Sequence, residues 1–247
     1  MNLINIKSPA DLKGLSIAEL TDLTAQARQA LMTKVSEHGG HVGPPMGAAE
    51  MIMALHYVFN SPVDKIVYDV SHQSYVHKMV TGRALAFLDH NHYNDVTGYT
   101  DPTESEHDFF NIGHTSTSIS LASGLATARN LKGDSENIIA IIGDGSLSGG
   151  EAFEGLDYAA TLDSNMIIIV NDNDQSIAEN HGGLYRGLSE LRKTNGESSN
   201  NIFKALGLDY RFVAKGNDLE TLIDVFKDVK DIDHPIVLHI VTQKGKG

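Results

Sequence analysis

The stretch Asn137–Asn173, NIIAIIGDGSLSGGEAFEGLDYAATLDSNMIIIVNDN, decides how the chain is read. It opens with the apolar run Ile138–Ile142, which breaks into Gly143-Asp144-Gly145. A helix-like segment follows from Gly150 to Leu162. A second apolar run, Met166–Val170, then breaks into Asn171-Asp172-Asn173. Two short β-branched runs separated by an amphipathic helix form a βαβ unit with parallel strands. In such sheets ligands sit at the carboxyl ends of the strands. Both polar triplets fall at those ends, so folding brings Asp144 and Asn173 to one edge although they are distant in sequence.

The triplets allow several ligands. Gly143-Asp144-Gly145 could open a dinucleotide-binding turn, but Ser148 stands where that fingerprint needs its third glycine. The turn also sets a carboxylate where a pyrophosphate would approach. An anion faces an anion favourably only with a cation between them, so Asp144 is better read as holding a divalent metal that in turn holds a phosphate. Mg²⁺ suits this, because it takes few carboxylates and completes its shell with phosphate and water oxygens. Asn173 adds a neutral oxygen, and the glycines leave N–H groups free for the anion at the helix start. A calcium loop beginning at Asp172 fails, since Ile177 and Gly183 occupy its glycine and closing-glutamate positions. Either triplet alone reads equally as a turn without a ligand; the two together favour the ion.

These blocks, in this order, resemble the thiamine diphosphate enzymes of the transketolase group, and within it 1-deoxy-D-xylulose-5-phosphate synthase. Gly40-His41-Val42-Gly43 with Glu50, Tyr68–Lys78 closed by Thr81-Gly82-Arg83, and Gly113–Ser120 repeat the likeness, which runs through nearly the whole chain. The resemblance implies a doubly wound, mostly parallel α/β sheet flanked by helices, occupying residues 1–247 as one diphosphate-type domain. It implies thiamine diphosphate and Mg²⁺ as cofactors. Asp144 and Asn173 match metal ligands, and the position of Gln175 supplies a main-chain carbonyl to the metal. Gly145 and Ser146 match diphosphate contacts, as Gly113, His114 and Thr115 match a cofactor-contacting segment. The counterpart of His72 touches the cofactor and helps proton transfer, and that of His41 lies by the reacting carbons. From the residues alone, His41, His72 and His114 read equally as ordinary loop histidines.

Ser71 stands where the synthase usually has glycine, Gly43–Gly47 is more like transketolase, and the segment between Asn180 and Phe203 is shorter than the synthase's. The pyrimidine-binding domain, which supplies the family's activating glutamate, and the C-terminal domain have no counterpart here; Glu151 and Glu154 read as helix-face groups. The expectation is one half of a transferase that condenses pyruvate with glyceraldehyde 3-phosphate, in a homo- or hetero-oligomer with a further domain or partner subunit. Alternatives are the N-terminal subunit of a split transketolase, moving a ketol group from a ketose phosphate to an aldose phosphate, and a non-catalytic paralogue binding cofactor or partner.

Composition bounds the rest. The 247 residues suffice for one large domain, and 41% hydrophobic content allows a sizeable core. A formal charge of −13 argues against nucleic acid or an anionic membrane as partner, and means that a polyphosphate ligand needs a local cation. The absence of cysteine excludes disulfides and thiolate chemistry. Without a basic-then-apolar leader or a spanning apolar run, a cytoplasmic protein is expected.

Along the chain, residues up to Gly14 read as a loose arm. Ser16–Glu19 forms a capping box for a helix stopped by Gly39-Gly40, and an apolar helix covers Ala48–Phe59. Ile66–Val70 reads as a strand with His72 past its end, followed by a short helix ending near Gly82. Residues 89–112 read as a long polar loop, functional or mobile. Thr115 or Ser116 caps a helix running to Asn130. Lys193–Asn201 is expected exposed and disordered. Tyr210–Val213 and Ile236–Val241 read as strands around a helix carrying Leu219, Leu222, Ile223, Phe226 and Val229.

Overall fold

In the computed structural model, which describes residues 1–175 and 179–246, five strands form one sheet in the order β1-β2-β3-β5-β4. They are β1 (Lys65–Tyr68), β2 (Ile138–Gly143), β3 (Met166–Asp172), β4 (Asp209–Val213) and β5 (Pro235–Val241). Every strand pair is parallel. Ile177, named above, and the last residue of the chain lie outside the described residues.

The period-two geometry of a strand divides the apolar runs between two cores. Ile139, Ile141, Ile167, Ile169, Leu238 and Ile240 face one side, with α1 (Ile17–His38), α2 (Ala49–Val58) and, late in the chain, the helix Leu219–Val229. Ile138, Ala140, Ile142, Met166, Ile168, Val170 and Val237 face the other, under α3 (Ser118–Lys132), α4 (Gly150–Ala159) and α5 (Gly183–Lys193). The helix Leu219–Val229 is α6. A sheet buried on both faces reads as continuous apolar runs rather than alternation, which is why β2, β3 and β5 were legible.

The Ser16–Glu19 capping box forms as expected, with the Glu19 carboxylate accepting from Ser16 N–H at 2.9 Å. Four expectations are corrected. Residues before Gly14 are no loose arm: Leu3, Ile6 and Leu12 are fully buried in the core beneath α1, and Leu3 N–H donates to Gln26 Oε1 at 2.8 Å. β1 ends at Tyr68 rather than Val70, because Val70 and Ser71 turn into left-handed backbone (φ 56° and 65°). Neither Thr115 nor Ser116 caps α3. The buried Asp69 carboxylate does so from the end of β1, accepting from Ser116, Thr117 and Ser118 N–H at 2.8–3.0 Å. The run Lys193–Asn201 is ordered as well as largely exposed: Gly196 is buried against Phe212, and the buried Asn201 caps the turn Ile202–Ala205.

The 89–112 segment is polar as expected but opens with a 3-10 helix, His90–Asp95, and the rest of it is pinned by ionised and hydrogen-bonded side chains. Asp108 forms an ion pair with Arg83 (2.7 Å) and a hydrogen bond with His77 (2.7 Å), and Glu104 forms an ion pair with Lys78 (2.6 Å). The glycine-rich turn at Gly43–Gly47 lies against the segment after β5. A Cβ at Gly47 would come 2.9 Å from the Gln243 carbonyl, so only glycine allows the approach. No helix among the described residues is long and apolar enough to cross a membrane.

Candidate cofactor and metal site

β2 and β3 are neighbours in parallel register, with Gly143 beside Asn171. Their carboxyl ends therefore deliver Asp144 and Asn173 to the same place, and Asp144 N–H donates to the Asn171 carbonyl at 3.1 Å. Both residues line a cavity of about 550 Å³ together with His41, His72, Thr115, Gly145, Ser146, Gln175 and Lys244. Of the residues singled out by sequence, only Gly113 and His114 stay outside that lining. Both are exposed, and His114 Nδ1 lies 3.1 Å from the Thr115 carbonyl.

The electrostatics of the cavity ask for a cation. Asp144 is 1% exposed, and its carboxyl is pushed up to about 7 by burial and then by the nearby Asp172 carboxylate; N–H groups of Asn173 and Gly145 offset this only in part. Asn180 Nδ2 donates to Asp144 Oδ2 at 2.7 Å. Asn173 Oδ1 is buried without a hydrogen-bond partner. A buried acceptor left unpaired costs about 1–3 kcal/mol, and an unpaired oxygen beside an acid that resists ionisation fits a positive group. No group of three or more His, Cys, Asp or Glu among the described residues could cage a metal by itself. One carboxylate plus neutral oxygens suits an ion that keeps phosphate and water oxygens in its shell.

Asp172 plays a different part from its neighbours. Burial alone would raise its carboxyl, but hydrogen bonds from His239 (2.7 Å) and Arg192 (2.6 Å) outweigh burial and hold it low. His239 is held in turn by Tyr210 Oη at 2.8 Å. This buried chain fixes the β3 tip from which Asn173 projects.

The imidazoles of His41 and His72 stand edge to face at 5.1 Å. Burial, with His41 and Lys244 adding, draws His72 down to about 4, and burial lowers His41. Both rings are therefore neutral near pH 7, and the Nδ1 atoms of both are buried without a partner. Sequence reasoning missed three groups here. Asp69 anchors the helix start beside Thr115, Lys244 reaches the cavity from beyond β5, and Tyr99 meets His41 edge to face at 5.8 Å. A carboxylate directly after an apolar strand was the visible signal for Asp69; Lys244 and Tyr99 carry none, since their positions depend on distant packing.

A larger open depression of about 720 Å³ lies near the opposite ends of the strands. Its charged lining includes Lys65, which is paired with Glu136 at 2.8 Å, and Asp64, which accepts from Asn137 N–H at 2.8 Å. The carboxyl-end cavity, in contrast, is lined by His41, His72, Gln73 and Asn173, each with a buried side-chain atom that has no hydrogen-bond partner.

A parallel sheet wound on both sides, with a polar cleft at adjacent strand tips, defines the class, and solved structures agree on the fold. A transketolase from Campylobacter jejuni superposes with a TM-score of 0.71 at 18% identity, covering 92% of this chain and 38% of that one. A transketolase mutant from Pichia stipitis gives 0.70 at 16% identity. More particularly, the family model described as 1-deoxy-D-xylulose-5-phosphate synthase matches residues 3–200 and 193–242, and the chain belongs to that family, in its N-terminal part. A 1-deoxy-D-xylulose-5-phosphate synthase from Listeria monocytogenes is 44% identical over 253 residues, 100% of this chain and 42% of its own length. One from Caldanaerobacter subterraneus is 43% identical, across 99% of this chain and 45% of its own length. The chain thus spans less than half the length of these relatives.

Proposed function

We propose that this chain is the metal- and diphosphate-binding half of a thiamine diphosphate-dependent transferase of the synthase type, with pyruvate and glyceraldehyde 3-phosphate as substrates. The observation that carries the reading is the orphaned, buried Asn173 Oδ1 in the same cavity as the Asp144 carboxyl. Asp144, Asn173 and the main-chain carbonyl of Gln175 would hold Mg²⁺. Gly145 and Ser146, with Thr115 across the cavity, would face the diphosphate, and Gly113 and His114 would meet it only from outside the present lining. Thiamine diphosphate, when bound, supplies an acidic carbon that carries a two-carbon fragment between substrates. The chain's own contribution is to grip, orient and move protons. The rings of His72 and His41 line the cavity and are neutral near pH 7, the form in which an imidazole can accept a hydrogen bond from a substrate hydroxyl or the cofactor.

The reading assigns the pyrimidine end of the cofactor, and most contacts to the substrate phosphate, to a further domain or partner subunit closing over this cavity in a cytoplasmic oligomer. Gly43 and Pro44 line the cavity, which keeps a second reading in view, a transketolase subunit moving a ketol group. Pyruvate consumption by the completed enzyme selects the first, and xylulose 5-phosphate consumption the second.

The test is titration of the chain, alone and with the complementary half, by thiamine diphosphate in the presence and absence of Mg²⁺. Asp144→Ala should weaken the Mg²⁺-dependent part at least about a hundredfold while the fold is retained, because a strand-end turn carries little core packing. Tight, metal-dependent binding by that variant would overturn the assignment. If neither the chain nor the pair binds, the non-catalytic alternative stands.

A further inference from the structure

Ser71 is fully buried, sits in left-handed backbone at φ 65° directly after Val70 at φ 56°, and spends both hydrogen-bonding capacities of its hydroxyl on one loop. The hydroxyl accepts from Thr100 N–H at 2.9 Å and donates to the Ile112 carbonyl at 2.6 Å. Two consecutive non-glycine residues in this region carry strain that the surroundings must offset, and the two hydrogen bonds are the visible compensation.

The contacts close on themselves. Ser71 precedes His72 in the chain, and Thr100 follows Tyr99. The Tyr99 ring packs on His41 at 5.8 Å, and His41 packs edge-on against His72 at 5.1 Å. Ser71, Thr100, Tyr99, His41 and His72 therefore form one closed ring of two covalent and three non-covalent links. We propose that Ser71 is a positioning residue whose hydroxyl closes this ring and so fixes where the His41 and His72 imidazoles stand in the cavity. The consequence for catalysis rests on the reading of the cavity given above; the geometry does not.

The loop is not held by Ser71 alone. Thr100 Oγ1 donates to the Phe110 carbonyl at 2.8 Å, Asp101 N–H donates to Asp108 Oδ2 at 2.9 Å, and the Arg83–Asp108 and Lys78–Glu104 pairs lie beyond. Removing one hydroxyl thus frees the Tyr99 end while leaving the loop folded. Glycine adopts positive φ without strain, so Ser71→Gly deletes the hydroxyl without introducing a new backbone conflict.

The test uses the chain without metal or cofactor and follows the histidine ring signals by NMR across pH. Burial is the main cause that lowers the His72 titration, the facing His41 and Lys244 add to it, and Asp144 shares the cavity. Ser71→Gly should abolish the ring-to-ring contact between His41 and His72 and move the His72 midpoint up by roughly one pH unit as water enters. Tyr99→Ala, which opens the same ring elsewhere, should do the same. The double variant should move it no further than either single change, since the two act through one closed set of contacts. A Ser71→Gly chain that loses thermal stability while His72 keeps its midpoint would show a merely structural hydroxyl and overturn the proposal. So would full additivity with Tyr99→Ala. Because no cofactor is present, a chain that fails to bind thiamine diphosphate would sink the proposed function and leave this test intact.

Discussion

A carboxyl held in a dry cleft beside a second carboxylate is costly to ionise, and Asp144 is in that position. At pH 8, above its raised value of about 7, it is charged in the folded chain and gains little from the fold in return. Asp144→Asn should therefore stabilise the metal-free chain at pH 8 by roughly 1–3 kcal/mol, read from urea denaturation, while removing Mg²⁺-dependent cofactor binding. A destabilised apo variant would contradict the electrostatic account. Asn173→Ala should show the same opposition in weaker form. It deletes an unpaired buried acceptor, so the apo melting temperature should hold or rise while metal-dependent affinity drops about tenfold or more. At this scale, Asp144 and Asn173 were legible because strand ends place residues by rule. The partners of Asp69 and Ser71 were not, because they lie 29 or more positions away, at Thr100, Ile112 and Ser116–Ser118.

An element needs its ends satisfied as well as its face buried, and α3 shows how a strand can do this for a helix. Three of the N–H groups at its start reach one carboxylate, Asp69, instead of a local hydroxyl. That joins β1 to α3 and sets Thr115 at the cavity rim. Asp69→Ala should cost about 2 kcal/mol, near the upper end of the range for lost caps, with Asp69→Asn costing less because an amide oxygen still accepts. The check is a shift in denaturation midpoint at constant slope, together with weaker cofactor binding as the Thr115 segment loosens. Unchanged stability in Asp69→Ala would return the cap to Thr115 or Ser116. The long helices and buried strands were readable from periodicity because a core enforces it over many residues. The N-terminal segment was misread because Leu3, Ile6 and Leu12 enter the core from single 3-10 turns, too short to show a period. Gly196 and Asn201 were misread because a polar run can still be ordered by one buried glycine and one cap.

Across the whole molecule, buried titratable groups act against one another between pH 4.5 and 6.5. His77 is fully buried between His56 Nε2 at 2.8 Å and Asp108 Oδ1 at 2.7 Å. Burial draws it down to about 4 despite the carboxylate, and His56 falls well below its ordinary 6.5 for the same reason. With folded values under the unfolded one, the unfolded chain binds more protons in this window. The stability from these histidines is thus complete above about 6.5 and is lost as pH falls through 6.5 toward 4. His72, also near 4, adds in the same direction but less, because it is only partly buried and solvent screens it. Asp144 works the other way: raised from 3.8 to about 7, it binds more protons folded than unfolded, so its contribution falls as pH rises through the same window. Two fully buried histidines and a partly buried third outnumber one aspartate, so stability should rise from pH 4.5 to 6.5 by on the order of 2 kcal/mol. Asp144→Asn removes the opposing group and should make that rise steeper. Urea midpoints for both chains at the two pH values decide it. An equal or shallower rise in Asp144→Asn would mean that Asp144 ionises as an ordinary carboxyl, and with that the electrostatic demand for a cation at the β2 and β3 tips would go.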